Sequence, residues 1–452
     1  MPREASRTSS SLGFWMCLAL VTGNMIGSGV FLLPASLAPY GWNAVLGWIL
    51  TVAGSLCLAF VFSLLARSFP AQGGPYAYSR LAFGDAPAFA VAWSYWISIW
   101  VTNAAIAVAA VSYLTIFAPV IAAQPGLAAI LALGFIWTLT LVNCLSIRAA
   151  GGFQLVTTIL KLLPLIAAIG ITFAVAGGAG SEKAATLPFR SEDISIQAIT
   201  ATASLTLWAM LGFESATIPA RRVEDPERTI PRATMLGTCL AGGISLIACS
   251  GVALLLPPEV AASSNAPFAD FVARYVGAGP ALLIALFAAI SAIGALNGWV
   301  LLQGEMPLAM ARGGAFPRLF GRLSKAGTPI VAQLVSSGLA TILVLSNYSR
   351  SMGQLFTFMA LLATVATLVM YFICSLASLR LMQHGDMRRS AGVIAAASLG
   401  AFYSLWTFYG AGAEATGWGA VLVASGVPVY LLMRRPGGSS RAQEAALAAP
   451  RE

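Results

Sequence analysis

The sequence predicts an all-α polytopic membrane protein in which two of the spanning helices are broken in mid-membrane. The 452-residue chain is 58% hydrophobic and only 9% charged, and its mean hydropathy is +0.84. Apolar stretches of about 20 residues recur along its whole length, which is typical of membrane-spanning helices. These stretches are continuous rather than alternating, which excludes a transmembrane β-barrel.

Twelve spans are predicted, each near or above the roughly 20 residues that a bilayer requires. Their predicted bounds are 13–38, 44–69, 86–118, 124–146, 151–177, 196–220, 232–257, 279–311, 328–347, 354–380, 390–411 and 416–433. Residues 1–12 then form an N-terminal tail. Residues 434–452 form a Gly/Ser/Ala-rich tail that is predicted to be disordered.

The basic residues predict the orientation in the membrane. With the N-terminus inside, twenty Lys and Arg residues fall in inner segments, and only Lys183, Arg190, Arg274 and Arg350 fall in outer loops. This bias follows the positive-inside rule and places both termini in the cytoplasm. The net charge of +9 is therefore explained by topology rather than by binding to nucleic acid.

The first predicted span contains the segment Gly-Asn-Met-Ile-Gly-Ser-Gly-Val-Phe-Leu-Leu-Pro at 23–34. Three glycines weaken a helix, and an unwound turn leaves N–H and C=O groups without partners. Hydrocarbon cannot satisfy these groups, so such a break is tolerated only where it is buried in protein or lines a polar cavity. The segment thus predicts a broken helix whose backbone groups face a small polar ligand.

A second break is predicted in the sixth span, where Gly212 and Glu214 interrupt an apolar stretch. Breaks five spans apart point to an inverted repeat with the binding site between its halves. The predicted core is 13–380, with repeats of about 13–177 and 196–380. Two additional helices follow at 390–433.

Three ionisable side chains, Lys161, Glu214 and Glu305, are predicted at membrane depth. Each would cost about 2.5–3.5 kcal/mol at the centre of a helix, so each must be partnered, neutral or facing water. Glu214 follows the second break directly and is a candidate for proton coupling, the alternative being a structural hydrogen bond to a neighbouring helix. Lys161 can neutralise carbonyls exposed by the first break, or it can extend to the membrane interface. The role of Glu305 stays open.

Other chemistry has little support in the sequence. The six cysteines lie within predicted spans at spacings that suit neither a disulfide framework nor a metal site. There is no nucleophile–base pair or phosphate loop, and Gly23, Gly27 and Gly29 lack the strand context of a dinucleotide site. We therefore expect neither an enzyme nor a cofactor.

Several motifs together resemble the amino acid–polyamine–organocation superfamily, with similarity extending from Leu12 to about Met433. They are the glycine-rich segment at 23–34, Gly-Phe-Glu-Ser-Ala at 212–216, Glu-Asp-Pro-Glu-Arg-Thr-Ile-Pro at 224–231, Tyr-Ala-Tyr at 76–78, Lys-Ala-Gly-Thr-Pro at 325–329, and Gly298-Trp299. Within it, the chain is most similar to the basic amino acid and polyamine antiporters, including those that exchange arginine for agmatine. The resemblance implies a LeuT-like fold, namely a 5+5 inverted repeat with helices 1 and 6 broken, plus two further helices.

The resemblance also implies roles for individual residues. The substrate carboxylate would meet Ser28 and the N–H groups around Gly27 and Gly29. The α-amino group would meet carbonyls at Ile26, Trp208 and Leu211. The full set implied to bind substrate is Asn24, Ile26, Gly27, Ser28, Gly29, Ser98, Asn103, Trp208, Leu211, Trp299 and Ala363.

Two gates and a coupling group are implied in the same way. Tyr95, Glu214 and Tyr371 match an inner gate, and Trp299 would separate the site from the outside. Glu214 and Lys161 would couple protons. The chain departs from the arginine pattern at several positions, namely Ser98-Ile99, Ile106, Lys161, Glu305 and Ala363.

The expected function is secondary transport by exchange of a basic, arginine-like amino acid for its decarboxylated amine, with pH coupling through Glu214. The alternative is a proton-coupled importer of neutral or broad-range amino acids that uses Lys161. A non-transporting membrane sensor is a third hypothesis, which a Ser28→Trp variant with an intact phenotype would favour. The expected partners are an amino acid or amine, protons and the lipid bilayer of a bacterial inner membrane, with a homodimer left open.

Overall fold

A computed structural model describes residues 12–70, 73–145, 157, 160–178, 187–218, 220, 223–347 and 349–433, without the side chains of Ser28 and Pro125. Ten helical segments are long and apolar enough to cross a membrane, and three of them, Phe14–Tyr40, Ile196–Thr217 and Gly412–Met433, are interrupted within their length. Two shorter apolar helices, Leu162–Ala176 and Ile330–Ser346, occupy the positions of the fifth and ninth predicted spans. The predicted all-α polytopic class is confirmed.

Eighteen α-helices are assigned within the described residues. They are α1 (Phe14–Met25), α2 (Ser28–Leu37), α3 (Trp42–Ser68), α4 (Pro75–Phe83), α5 (Asp85–Leu114), α6 (Val120–Ala123), α7 (Pro125–Leu145), α8 (Leu162–Ala176), α9 (Ile196–Met210), α10 (Pro226–Leu255), α11 (Pro258–Ser263), α12 (Pro267–Tyr275), α13 (Ala278–Arg312), α14 (Ile330–Ser346), α15 (Met352–His384), α16 (Ala391–Gly410), α17 (Gly412–Ala424) and α18 (Gly426–Met433).

Where they can be compared, the predicted bounds agree with these helices to within four residues except at the start of the seventh span, and the twelfth span is divided into α17 and α18. The third span ends at Leu114 and is followed by the short separate helix α6. The seventh begins at Pro226 rather than 232, because Asp225 adopts the left-handed φ of 44° and Pro226 then starts the helix. The predicted start of the fifth span at 151, most of the N-terminal tail 1–12 and the C-terminal tail 434–452 lie outside the described residues.

The first span is broken where the glycine-rich segment predicts. Helix α1 ends at Met25, Ile26 leaves the helical region with ψ of 73°, Gly27 is extended, and α2 begins at Ser28. The sixth span is broken in a different way. Helix α9 ends at Met210, Gly212 adopts φ of 114°, and a 3₁₀ turn follows at Phe213–Thr217.

The two breaks lie against each other in the middle of the bundle. A Cβ atom added to Gly212 would lie only 2.9 Å from Cβ of Asn24 and 3.3 Å from the backbone nitrogen of Met25. Because real Cβ atoms do not approach this closely, only glycine permits the contact, and its positive φ independently favours glycine. The site is therefore built from two unwound turns that touch.

Helix α5 forms the centre of the protein, since it is buried along nearly its whole length and packs against α13 and α15. Elsewhere in the bundle, small residues permit close helix approach. A Cβ on Gly47 of α3 would lie 2.2 Å from Oγ1 of Thr202 on α9, and one on Gly251 of α10 would lie 2.0 Å from Oγ1 of Thr172 on α8. The first of these contacts holds α9, which ends at the second break.

Candidate functional site

A small cavity lies where the two breaks meet. It is bordered by both halves of the first span, by the end of α9, and by one turn each of α5 and α13. Its lining residues are Asn24, Met25, Gly27, Gly29, Thr102, Ile106, Trp208, Ala209, Leu211 and Trp299. The free space is about that of one water molecule, so any larger ligand requires a lining side chain to move.

The Trp208 side chain lies over the start of α2, at the edge of the cavity. A Cβ built on Gly29 would lie 2.1 Å from the indole of Trp208, so the ring lies directly on the first turn of α2. The indole also packs edge-on against Phe356 of α15, with ring centroids 5.0 Å apart. Trp208 therefore covers the start of α2, and a ligand reaches that helix end only if the ring is displaced.

The helix ends around the cavity have opposite polarity. The first N–H groups of α2 have no partners within their own helix and carry partial positive charge, which favours an anion. Helices α1 and α9 end at the same cavity with Met25 and Met210, and their last carbonyls carry partial negative charge. The arrangement can therefore bind a carboxylate and an ammonium side by side, as an amino acid requires.

Asn24 joins three elements at the rim. Its Nδ2 donates to Oγ of Ser215 over 2.8 Å, and its main-chain carbonyl accepts from Nε1 of Trp299 over 3.3 Å. Trp299 is almost fully buried and closes the cavity from the side of α13. Asn24 therefore connects both breaks to Trp299.

Glu214 lies beside the second break with two tyrosines. Its Oε1 accepts from the Tyr95 hydroxyl and its Oε2 from the Tyr371 hydroxyl, both over 2.9 Å, while the Gly212 N–H donates to Oε2 over 3.3 Å. Glu214, Tyr95 and Tyr371 are fully buried. The structure thus brings together the three predicted gate residues, which come from the 3₁₀ turn, α5 and α15.

Lys161, the residue before α8, contacts the first break. Its ammonium group is fully buried and donates to the Gly23 carbonyl over 2.7 Å. In an unbroken helix that carbonyl would accept from the Gly27 N–H, which instead donates to the Met25 carbonyl over 2.9 Å. Lys161 therefore supplies a donor that the break removed, as the sequence analysis anticipated for this residue.

Some predicted binding residues do not line the cavity. Ser98 donates to the Tyr95 carbonyl over 2.8 Å, Asn103 donates to Oε1 of Gln303 over 2.7 Å, and Ala363 is buried within α15. Ile26 is buried at the break beside the lining residues. The side chain of Ser28 lies outside the described part of the protein, although its backbone begins α2.

Sequence analysis missed four residues of the site. Thr102, Met25 and Ala209 line the cavity, and Ser215 accepts from Asn24. Met25 and Ala209 adjoin predicted residues and could have been found by adjacency. Thr102 precedes Asn103 on α5, but no local pattern shows which of the two side chains faces the break.

The amino acid permease sequence profile matches residues 12–431, which is nearly the whole chain. The chain belongs to the amino acid permease family. This membership confirms the predicted superfamily, and it fits the site, because this permease places helix ends of both signs around one cavity.

Three relatives illustrate the similarity of this permease to known transporters. It is 34% identical to the cadaverine/lysine antiporter of Escherichia coli K12 over 81% of this chain and 82% of the relative. It is 32% identical to a putative arginine/ornithine antiporter of Bacillus subtilis over 83% and 85% of the two chains. It is 29% identical to the putrescine transporter PotE of Escherichia coli K12 over 94% and 96%. These relatives are transporters, which confirms the prediction of a permease rather than an enzyme.

Proposed function

We propose that this permease is a secondary antiporter that exchanges a basic amino acid for its decarboxylated amine. The observation that carries the proposal is the meeting of the α2 start with the ends of α1 and α9 around one buried cavity. Such a site suits the carboxylate and ammonium groups of a free amino acid. The similar transporters, which are named for the pairs lysine and cadaverine or arginine and ornithine, support a basic side chain.

In the proposed complex, the substrate carboxylate binds the start of α2, where Ser28 and the N–H groups around Gly27 and Gly29 face it. The ammonium group binds carbonyls at Ile26, Trp208 and Leu211. Trp208 leaves the start of α2 and stacks on the substrate side chain, because its indole otherwise fills that place. Trp299 covers the ligand from α13.

The amine product lacks the carboxylate, so it loses the contacts with α2 and keeps those with the carbonyl groups. Both exchanged species therefore share one site. Alternating access follows from movement of the two halves around the touching breaks, with Tyr95, Glu214 and Tyr371 as one gate and Trp299 as the other. Glu214, which holds both tyrosines, couples this gate to pH when its carboxyl group gains or loses a proton.

The membrane orientation is also part of the proposal. The predominance of basic residues in alternate connections supports cytoplasmic N- and C-termini. The relatives from bacteria support the inner membrane as the location.

One observation favours a second function, proton-coupled import of neutral or broad-range amino acids. Lys161 is a buried ammonium group bonded directly to the first break, so loss of its proton would weaken its hydrogen bond to the Gly23 carbonyl. In that case transport would need a proton gradient and no exchange partner.

Binding competition tests the substrate class. Purified permease is incubated with radiolabelled arginine and with unlabelled arginine, agmatine, lysine, cadaverine, putrescine or alanine. The proposal predicts displacement by at least one basic amino acid and its own decarboxylated amine, and none by alanine at the same concentration. Displacement by alanine as strong as that by the basic amino acids would contradict it.

A further inference from the structure

An apolar groove, here the tryptophan groove, runs along α5 on the face opposite the cavity between the breaks. It is bordered by α5, α14, α15 and α17 and has a volume of about 550 Å³, which is within the range of sites that bind organic molecules. From α5 it takes Trp93, Trp96 and Trp100. At 3.6 residues per turn these three lie on one face of the helix, and Thr102, which lines the cavity, lies on the other. The groove is therefore separate from the site described above.

Two opposite charges lie at one end of the tryptophan groove. Arg350, in the connection between α14 and α15, lines the groove, and its Nη2 donates to Oε1 of Glu414 on α17 over 2.5 Å. The guanidinium group also lies over the ring of Phe358, 4.6 Å from its centroid. The side chains of Arg350 and Glu414 remain 33% and 56% exposed. An ion pair this exposed contributes little to stability, so stability alone does not account for it.

Both members of the ion pair can bind a further partner. A guanidinium group has five N–H donors, and within the described residues only Nη2 of the Arg350 side chain bonds to an acceptor. Glu414 uses Oε1 for that bond, and its Oε2 has no donor in the same part of the chain. A phosphate can therefore bind Arg350 and a primary ammonium can bind Glu414 while the ion pair stays formed, because guanidinium suits phosphate and carboxylate suits an N–H cation.

The rest of the tryptophan groove suits an acyl chain. Its walls are aliphatic and aromatic and include Leu343 of α14, Leu362 of α15 and Leu422 of α17. The indole N–H of Trp93 donates to the Leu422 carbonyl over 3.0 Å, which ties α17 to α5 along the groove. The indole N–H of Trp100 is buried and has no acceptor among the described residues. An ester carbonyl of a lipid can supply that acceptor.

A second groove on α17, here the uncharged groove, shows that volume alone does not define a lipid site. It has a volume of about 520 Å³ and shares Trp93 with the tryptophan groove, but none of the described residues that line it is charged. A hydrocarbon chain suits either groove, whereas only the tryptophan groove presents a cation and an anion at its end. Charge complementarity therefore selects a headgroup for the tryptophan groove alone.

We propose that the tryptophan groove binds one phospholipid with a zwitterionic headgroup, namely phosphatidylethanolamine. The phosphate binds Arg350, the primary ammonium binds Glu414, and an acyl chain lies along the tryptophans of α5. A choline headgroup has no N–H donor for Glu414 and a glycerol headgroup has no cation, so both bind more weakly. The lipid fills the space between α17 and the core and stabilises the packing of α17. This inference does not depend on which substrate is transported.

Native mass spectrometry of purified, delipidated permease tests the lipid site. The protein is titrated with phosphatidylethanolamine, phosphatidylcholine or phosphatidylglycerol of identical acyl chains, and the dissociation constant of the first bound lipid is measured. We expect phosphatidylethanolamine to bind about tenfold more tightly than either of the others, as for one hydrogen bond to a charged group. Equal affinity for the three lipids would overturn the proposal. This comparison needs no variant, so it remains decisive if a substitution prevents folding.

Substitutions of the two charged residues have different expected effects. Glu414→Gln should bring the dissociation constants of phosphatidylethanolamine and phosphatidylcholine to within about twofold of each other, because it removes the carboxylate that distinguishes them. Arg350→Gln should weaken both by about tenfold or more, because both lipids carry a phosphate. Arg190→Gln, at an exposed arginine outside the groove, is the control and should leave all the constants unchanged. Wild-type lipid selectivity in Glu414→Gln and Arg350→Gln would contradict the proposed contacts.

Two adjacent residues of α17 test the position of the acyl chain. Leu422 lines the tryptophan groove and Val423 lines the uncharged groove. Leu422→Trp should fill the tryptophan groove and abolish the preference for phosphatidylethanolamine, whereas Val423→Trp should keep it. The same preference in both variants would overturn the proposal. If Leu422→Trp instead converts a dimer to a monomer and leaves lipid binding unchanged, the groove is an interface between copies of the chain and the lipid site is wrong.

Discussion

The ammonium group of Lys161 donates a hydrogen bond to the main-chain carbonyl of Gly23 over 2.7 Å. That carbonyl lost its helical donor when Gly27 turned to the Met25 carbonyl. The side chain of Lys161, which precedes α8, therefore supplies the hydrogen bond that the last turn of α1 lacks. The contact holds one half of the site in place without occupying the cavity.

Replacement of Lys161 by methionine should weaken substrate binding while the protein still inserts. The Gly23 carbonyl would lose its donor, and the end of α1 would no longer be fixed relative to α2. We expect the dissociation constant for the basic amino acid to rise by about fivefold or more, as for loss of one buried hydrogen bond. Calorimetry on purified protein measures it. Lys325→Met, at an exposed lysine, is the matched control, and equal affinities of the two variants would count against this role.

The contact between the breaks can be tested at Gly212. Gly212→Ala places a Cβ 2.9 Å from Cβ of Asn24 at a φ of 114°, so both the contact and the backbone conformation oppose it. Gly277 has φ of 126° with nothing within 4 Å of the added Cβ, so Gly277→Ala reports backbone strain alone.

We expect Gly212→Ala to abolish binding or reduce it by more than about tenfold, because strain at such positions costs of order 1–3 kcal/mol before the steric contact is added. Gly277→Ala should keep wild-type affinity with a modest loss of thermal stability. Similar binding by both variants would show that the breaks do not need to touch.

The position of Trp208 is tested at Gly29. Gly29→Ala would bring its Cβ to 2.1 Å from the indole, which forces the ring away from the start of α2. We expect the substrate dissociation constant to change by about tenfold or more. Gly243→Ala, within α10 and with open space around the added Cβ, should leave it unchanged.

A Trp208→Leu background then shows whether Gly29→Ala changes substrate binding through its contact with the Trp208 indole. In that background the further change Gly29→Ala should have little effect, because residues in contact do not contribute additively. An equally large effect with and without the indole would exclude the proposed contact.

Glu214→Gln should flatten the pH dependence of transport. The amide keeps the shape of the side chain but cannot gain or lose a proton between pH 5 and 8. The effect is measured as uptake of labelled substrate between pH 5 and 8 into proteoliposomes that contain the wild-type or variant permease. Tyr371→Phe leaves the Glu214 carboxyl group in place and removes one of that group's 2.9 Å hydrogen bonds. This variant should therefore retain a pH dependence of transport. An unchanged profile in Glu214→Gln would eliminate Glu214 as the coupling group.

The sequence predicts those parts of the site that depend on local chemistry. Glycines within an apolar span indicate where a helix must break, which located the turns at Gly27 and Gly212. A carboxyl group at membrane depth requires partners, and the family resemblance pointed to Tyr95 and Tyr371 as those partners.

What the sequence does not show are contacts between residues far apart in the chain. Asn103 and Gln303 are 200 positions apart, and the direction of their amides depends on the Gln333 carbonyl of a third helix. The packing of Trp208 on Gly29 likewise depends on how α2 and α9 are placed. Such relationships follow from tertiary packing, so no pattern on a single helix predicts them.

Exchange in proteoliposomes tests the central claim most directly. Uptake of labelled lysine and arginine is measured into vesicles preloaded with cadaverine or agmatine, into empty vesicles, and into empty vesicles under an inward proton gradient. Antiport predicts rapid uptake of at least one labelled amino acid only where the corresponding amine is inside, with release of that amine in equal amount. Uptake into empty vesicles driven by the proton gradient would contradict antiport and favour proton-coupled import.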